Sequence, residues 1–176
     1  MTGIAAIFSP APPLAERLDA MLGAMAARAV DGFGRWREGR FALGVALLHT
    51  TAESLEAEQP HTSEDGRLAL VMDGYLTNWE ELRCDLLARG AVLRNRSDAE
   101  LVLRAYEQWG DDCAARIEGE FAFIIADRRA GRISTELNRE LVAKLRGIAL
   151  PGVEVLVEMT QPSMVLICPV ASSRRR

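Results

Sequence analysis

Residues 3–8 (GIAAIF) are apolar without a break, and Ser9-Pro10 and Pro12-Pro13 stop them. Such a run, cut off by prolines that lack a donor and fix φ, reads as a buried strand. Leu14, Leu18, Met21, Leu22 and Met25 then recur at helical spacing and predict an amphipathic helix over 13–28. The Gly-rich stretch 31–36 (DGFGRW) reads as a turn, with Asp31 and Gly32 shaping it, and 40–48 as a strand. Residues 49–66 are polar and loop-like, with Glu64-Asp65-Gly66 as a hairpin turn into a strand over 67–73.

Further on the period becomes helical. Asn78 and Glu81 have the spacing of a capping box, Trp79, Leu82, Leu86 and Leu87 form the inward face, and Gly90 ends the helix. Residues 91–94 suggest a short strand. Ser97 and Glu100 repeat the capping-box spacing ahead of a stripe of Leu101, Val102, Ala105, Tyr106 and Trp109. Residues 120–127 (EFAFIIAD) form a continuous apolar strand of the kind covered on both faces. From Ser134 the texture changes: Leu137, Leu141, Leu145 and Ile148 suggest a helix, and 153–168 a hairpin turning at 160–163. The whole reads as helices packed on sheet.

Length and composition narrow this picture. The 176 residues suit one domain, and 49% apolar with 26% charged is an ordinary globular mix. A net charge of −4 gives nucleic-acid binding no support, and Arg174-Arg175-Arg176 reads as a solvated tail. Cys84, Cys113 and Cys168 are scattered, so no metal site or disulfide frame is expected, which fits a reducing cytoplasm. No signal peptide is expected at the N-terminus, and no apolar run approaches the roughly 20 residues of a membrane span.

Several segments, in order, resemble one family. MTGIAAIFSP is similar to an opening Met-Cys-Gly-Ile, and 28–36 to an Arg-Gly-Pro-Asp-Gly segment. The stretch from Asp65 to Gly90 resembles a strand, an Asn-Gly-Glu loop and a helix, and 96–129 a Ser-Asp pair followed by a Gly-x-Phe-Ala-Phe strand. Together they resemble the N-terminal glutaminase domain of asparagine synthetase, a class II glutamine amidotransferase. The resemblance implies an α+β fold, the four-layer αββα sandwich of N-terminal-nucleophile hydrolases. It covers 1–133 and leaves 134–176 as an atypical tail of helix plus hairpin. It implies no metal and no cofactor.

In that family the residue after the initiator methionine attacks the glutamine amide, and its own α-amine, with a pKa of about 7.7–8, is the base. An Asn side chain and a Gly amide stabilise the oxyanion. Carried over, Thr2 stands at the nucleophile, Asp73 at the oxyanion Asn and Gly74 at the oxyanion amide. Tyr75 stands at a Glu that meets the substrate ammonium, Leu47 at an Arg that meets the carboxylate, and Asp98 at the family's Asp. A carboxylate in place of a donor amide opposes a developing oxyanion, where losing one donor alone costs about 3 kcal/mol. Leu47 leaves a substrate carboxylate unpaired.

The resemblance therefore implies a retained scaffold whose glutaminase pocket is dead or repurposed. Such a domain would serve an ATP-dependent amide-forming system, of asparagine-synthase or lasso-peptide-cyclase type. Its partner would be a separate or downstream synthetase domain, with a homodimer also open. A second reading is an active hydrolase that uses Thr2, with Asp98 gripping the substrate amine. A third is a gene remnant whose tail prevents folding. Simpler roles stand beside each assignment: Thr2 closing a strand end, Asp98 as a first-turn acid favourable to the helix dipole, Gly74 as a backbone requirement, and His49 and His61 facing solvent.

Overall fold

The computed structural model describes residues 2–9, 13–49, 53–56, 58–137 and 164–167. In chain order the main elements are β1 (Gly3–Phe8), α1 (Leu14–Ala24), β2 (Phe33–Glu38), β3 (Phe41–Ala46), β4 (His61–Thr62), β5 (Leu68–Leu76), α2 (Trp79–Ala88), α3 (Asp98–Trp109), β6 (Gly119–Asp127), β7 (Arg132–Leu137) and β8 (Met164–Ile167). They form two four-stranded sheets, ordered β2-β3-β1-β8 and β4-β5-β6-β7. Every pairing is antiparallel.

Alternation along the central strands builds four layers. Ile4 and Ala6 of β1, with Phe41, Leu43 and Val45 of β3, meet Ala69 and Val71 of β5 and Ala122, Ile124 and Ala126 of β6. The intervening residues Ala5, Ile7, Ala42 and Ala46 pack under Leu18, Met21 and Leu22 of α1. On the far side Leu68, Leu70, Met72, Phe121, Phe123 and Ile125 pack beneath α2 and α3. This is the expected αββα sandwich.

Several expectations are corrected. The stretch read as a turn at 31–36 is largely β2: Gly34 and Trp36 face inward, and Phe33, Arg35 and Arg37 face out. Gly34 is a packing glycine rather than a turn residue, since a Cβ there would lie 1.9 Å from the Gln59 carbonyl oxygen. The first helix stops at Ala24, and Ala26–Arg28 is a separate 3-10 turn. Asn78 makes no side-chain cap; its amide instead receives the Glu118 N–H and donates to the Arg116 carbonyl, tying α2 to the approach to β6. Trp79 and Leu87 are exposed, so the inward face of α2 is carried by Leu82 and Leu86. Residues 91–94 form no strand. Residues 134–137 belong to β7, which pairs with β6, so Leu137 lies in a strand and not in the expected helix. The rest of the expected helix and the first arm of the expected hairpin lie outside the described residues. The second arm contains β8, which pairs with β1. The Glu64-Asp65-Gly66 turn is as expected, with Gly66 at φ +65° and its N–H on the Ser63 carbonyl.

Ser97 caps α3 by accepting the Glu100 N–H, but the Glu100 side chain turns inward instead of completing the box. It is fully buried, and its carboxylate accepts from His61 Nε2 at 2.6 Å, Arg94 Nη2 at 2.8 Å and Arg104 Nε at 2.8 Å. His61 is therefore buried, not solvent-facing, and links β4 to α3. Burial would push the Glu100 carboxyl up, yet the bonds from His61, Arg94 and Arg104 outweigh it and hold it far below the usual carboxylate range.

Removing one member of such a buried group leaves its partners uncompensated, so Glu100→Ala should cost about 3–5 kcal/mol at neutral pH. A depressed folded value stabilises above the unfolded pKa of about 4.3 and loses that contribution as pH falls below it. Denaturant midpoints of the two proteins should therefore converge as the pH is lowered from about 5 to about 2.

Candidate functional site

A cavity of about 300 Å³ is lined from both sheets. Thr2 at the head of β1, Leu47 to His49 after β3, Met72 to Tyr75 of β5, Ser97 to Ala99 at the start of α3, and Glu120 to Ala122 of β6 form its walls, with Glu53, Ser54 and Gln59. Thr2, Leu47, Asp73, Gly74, Tyr75 and Asp98, far apart in sequence, are thus brought together around one space.

Two walls are closed by side chains acting as backbone. Thr2 Oγ1 lies 3.3 Å from both the carbonyl oxygen and the amide nitrogen of Leu48, donating to one and accepting from the other. Gln59 does the same to Met72, accepting its N–H at 2.7 Å and donating to its carbonyl at 3.0 Å. Leu47 is fixed by the Asp31–Gly32 turn: Leu47 N–H donates to the Gly32 carbonyl, and Asp31 N–H to the Leu47 carbonyl. The Asp31 carboxylate accepts the His49 N–H at 2.7 Å, so this turn does shape the edge of the pocket.

Asp73 is the electrostatic centre. Its Oδ1 accepts the Thr2 N–H at 2.8 Å. Burial pushes its carboxyl up, opposed by the Thr2 N–H, the chain's N-terminal charge, Arg28 and the Gly74 amide. Gly74 follows with φ +108°, and a Cβ there would lie 2.0 Å from the Glu120 carbonyl oxygen. Tyr75, 49% exposed, stands at the rim. Asp98 Oδ2 accepts the Leu76 N–H at 3.1 Å, joining α3 to the end of β5. Burial raises the Asp98 carboxyl, against the Leu76 N–H and with the Glu53 charge.

Chemically, the Thr2 hydroxyl is engaged by main chain and its nitrogen by a carboxylate. The described lining residues carry carboxylates at Glu53, Asp73, Asp98 and Glu120 and no Lys or Arg. Glu53, Ser54, Gln59 and Glu120 were not anticipated from the sequence. Glu53, Ser54 and Gln59 sit in a polar segment with no periodic pattern, and Glu120 reads as the end of a strand. Among the described residues, no three His, Cys, Asp or Glu side chains are grouped to hold a metal ion. No helix among them is long and apolar enough to cross a membrane.

A family model described as a glutamine amidotransferase domain matches residues 1–140. A probable asparagine synthetase (glutamine-hydrolysing) of Dictyostelium discoideum is 40% identical over 73 residues, covering 41% of this chain and 13% of that protein. Asparagine synthetase (glutamine-hydrolysing) 3 of Bacillus subtilis is 29% identical over 116 residues, covering 65% of this chain and 19% of that protein. The chain thus spans less than a fifth of these curated relatives' length. In fold it is similar to the glutamine phosphoribosylpyrophosphate amidotransferase of B. subtilis, with a TM-score of 0.54 and 17% identity over 73% of this chain and 35% of that one.

Gly74→Ala combines a left-handed φ with a backbone collision and should destabilise by about 3 kcal/mol or more, read from urea unfolding. For Asp98 the folded pKa lies above the unfolded value of about 3.9, so stability falls as pH rises from that value through the folded one. Asp98→Asn keeps an acceptor for the Leu76 N–H but does not titrate. Over that window the wild type should lose stability relative to the variant, and above it the difference should be constant.

Proposed function

The chain belongs to the glutamine amidotransferase domain family, with relatives among the asparagine synthetases, and from that premise we propose that its glutaminase chemistry has been lost. It then serves as a scaffold or partner domain of an ATP-dependent amide-forming system, of asparagine-synthase or lasso-peptide-cyclase type. The observation that carries this reading is the Asp73 carboxylate seated on the Thr2 nitrogen at 2.8 Å. A base for Thr2 would need that nitrogen free and unprotonated. An oxyanion would need a donor where Asp73 presents an acceptor.

Two further observations support the reading. The Thr2 hydroxyl bridges Leu48 main-chain groups, which suits a residue that finishes a strand ladder. Leu47 lines the cavity where an amino-acid carboxylate would need a cation, and an unpaired buried carboxylate costs several kcal/mol. The partner on this reading is a separate or downstream synthetase domain. A second reading, an active amidohydrolase using Thr2, is favoured by one fact: Thr2, Gly74 and Asp98 converge on the same cavity.

Ammonia release from glutamine by the purified protein separates the two. The expected result is background release by the wild type and by Thr2→Ala alike, and no more than a trace from Thr2→Cys, because Asp73 and Leu47 remain. Steady release by the wild type that Thr2→Ala abolishes would refute the loss of glutaminase chemistry.

A further inference from the structure

The cavity lined from both sheets is small and carries one sign of charge. Its volume of about 300 Å³ is at the lower end for small-molecule sites. Leu47, Met72, Phe121 and Ala122 supply apolar wall. Between them stand the carboxylates already described, with no Lys or Arg among the described lining residues. Tyr75 adds a ring at the rim, and an aromatic face attracts ammonium groups. We propose that the cavity binds a small aliphatic amine that carries no carboxylate, with its ammonium between Glu53 and Asp98 and its alkyl stem on the apolar wall.

The wall formed by Asp98 and Glu53 is where the protein supplies least compensation. Asp98 has one main-chain donor in contact, the Leu76 N–H at 3.1 Å. Burial raises its carboxyl, and the Glu53 charge raises it further. Two like charges that disturb each other in this way are relieved by a cation placed between them. Arg96 acts on Glu53 through space, but its guanidinium is committed to Glu56 at 2.7 Å. Asp73 is better provided, with the Thr2 N–H at 2.8 Å and the through-space charges of Arg28 and the N-terminus. His49 is the remaining basic side chain on the walls, and its main chain is tied to Asp31.

A carboxylate on the ligand would enter a space of its own sign and find Leu47 where it needs a cation, so it would be repelled and left unpaired. Amino acids are thereby disfavoured, and amines without a carboxylate are not. The inference rests on the reading that glutaminase chemistry has been lost, and it names what the pocket takes instead. Its test is binding without turnover, so ammonia release from glutamine and amine binding fail independently.

Cadaverine and lysine differ only by the lysine carboxylate, and the alkyl ammonium of each is protonated at about pH 8. Isothermal titration calorimetry of the full chain at low salt should show saturable one-to-one binding of cadaverine. Lysine and glutamine should each bind at least about tenfold more weakly. Asp98→Asn and Glu53→Gln should each weaken cadaverine binding about fivefold. Glu16→Gln, exposed in the first turn of α1, should leave it unchanged. Glu53 is exposed on a short 3-10 turn, so Glu53→Gln decides the matter if Asp98→Asn does not fold. No binding of cadaverine, lysine or glutamine binding as tightly, an affinity unchanged in either folded cavity variant, or an equal loss in Glu16→Gln would each overturn the proposal.

Discussion

The central strands β1, β3, β5 and β6 are apolar on both faces, and the architecture follows from what must cover them. One face of each strand is satisfied by the opposite sheet, through Ile4, Leu43, Val71 and Ile124 among others. The other needs a helix, α1 on one side and α2 with α3 on the other. Burial at about 25 cal/mol per Å² on both faces holds these strands in place. The cavity is built at the ends of these strands. Thr2 and Gln59 show how the ends are finished: each spends its side chain on both main-chain groups of a single neighbour, Leu48 or Met72.

The charges are arranged on two different principles. Around Glu100 the cluster is fully compensated, with three basic side chains meeting one carboxylate, and it locks β4, the segment before α3 and α3 itself together. Around Asp73 and Asp98 compensation is partial, supplied in direct contact by main-chain N–H groups and at Asp73 also through space by the N-terminal charge and Arg28, and both carboxyls are pushed up. A satisfied network belongs to the scaffold. A partly satisfied one facing a cavity is where a chemical task would be found, or where one has been given up.

Much of the fold was legible because it depends on period. The apolar runs at 3–8, 40–48, 67–73 and 120–127 overlap β1, β3, β5 and β6, and the capped stripe after Ser97 is α3. β2 was hidden because Gly32 and Gly34 look like punctuation, whereas Gly34 is there so that the Gln59 backbone can approach. Trp79 and Leu87 misled because an apolar residue at helical spacing reads as core whether or not another element covers it, and both are exposed here. His61 misled in the opposite direction, since a polar segment gives no hint that Glu100 waits across the fold. The convergence of Thr2, Leu47, Asp73, Gly74, Tyr75 and Asp98 was reachable only through family resemblance, as no local pattern joins residue 2 to residue 98. Gln59 had no signal at all, because its partners are main-chain atoms.

Gly74 illustrates how the outline of a site is set by the backbone. Its backbone conformation and its closeness to the Glu120 carbonyl are demands of the β5–β6 pairing, and they hold whatever its neighbours do. The side chain of Tyr75, at the rim, is under no such restraint. The bend between the two flanking side chains is therefore a requirement of folding, whatever chemistry those side chains carry.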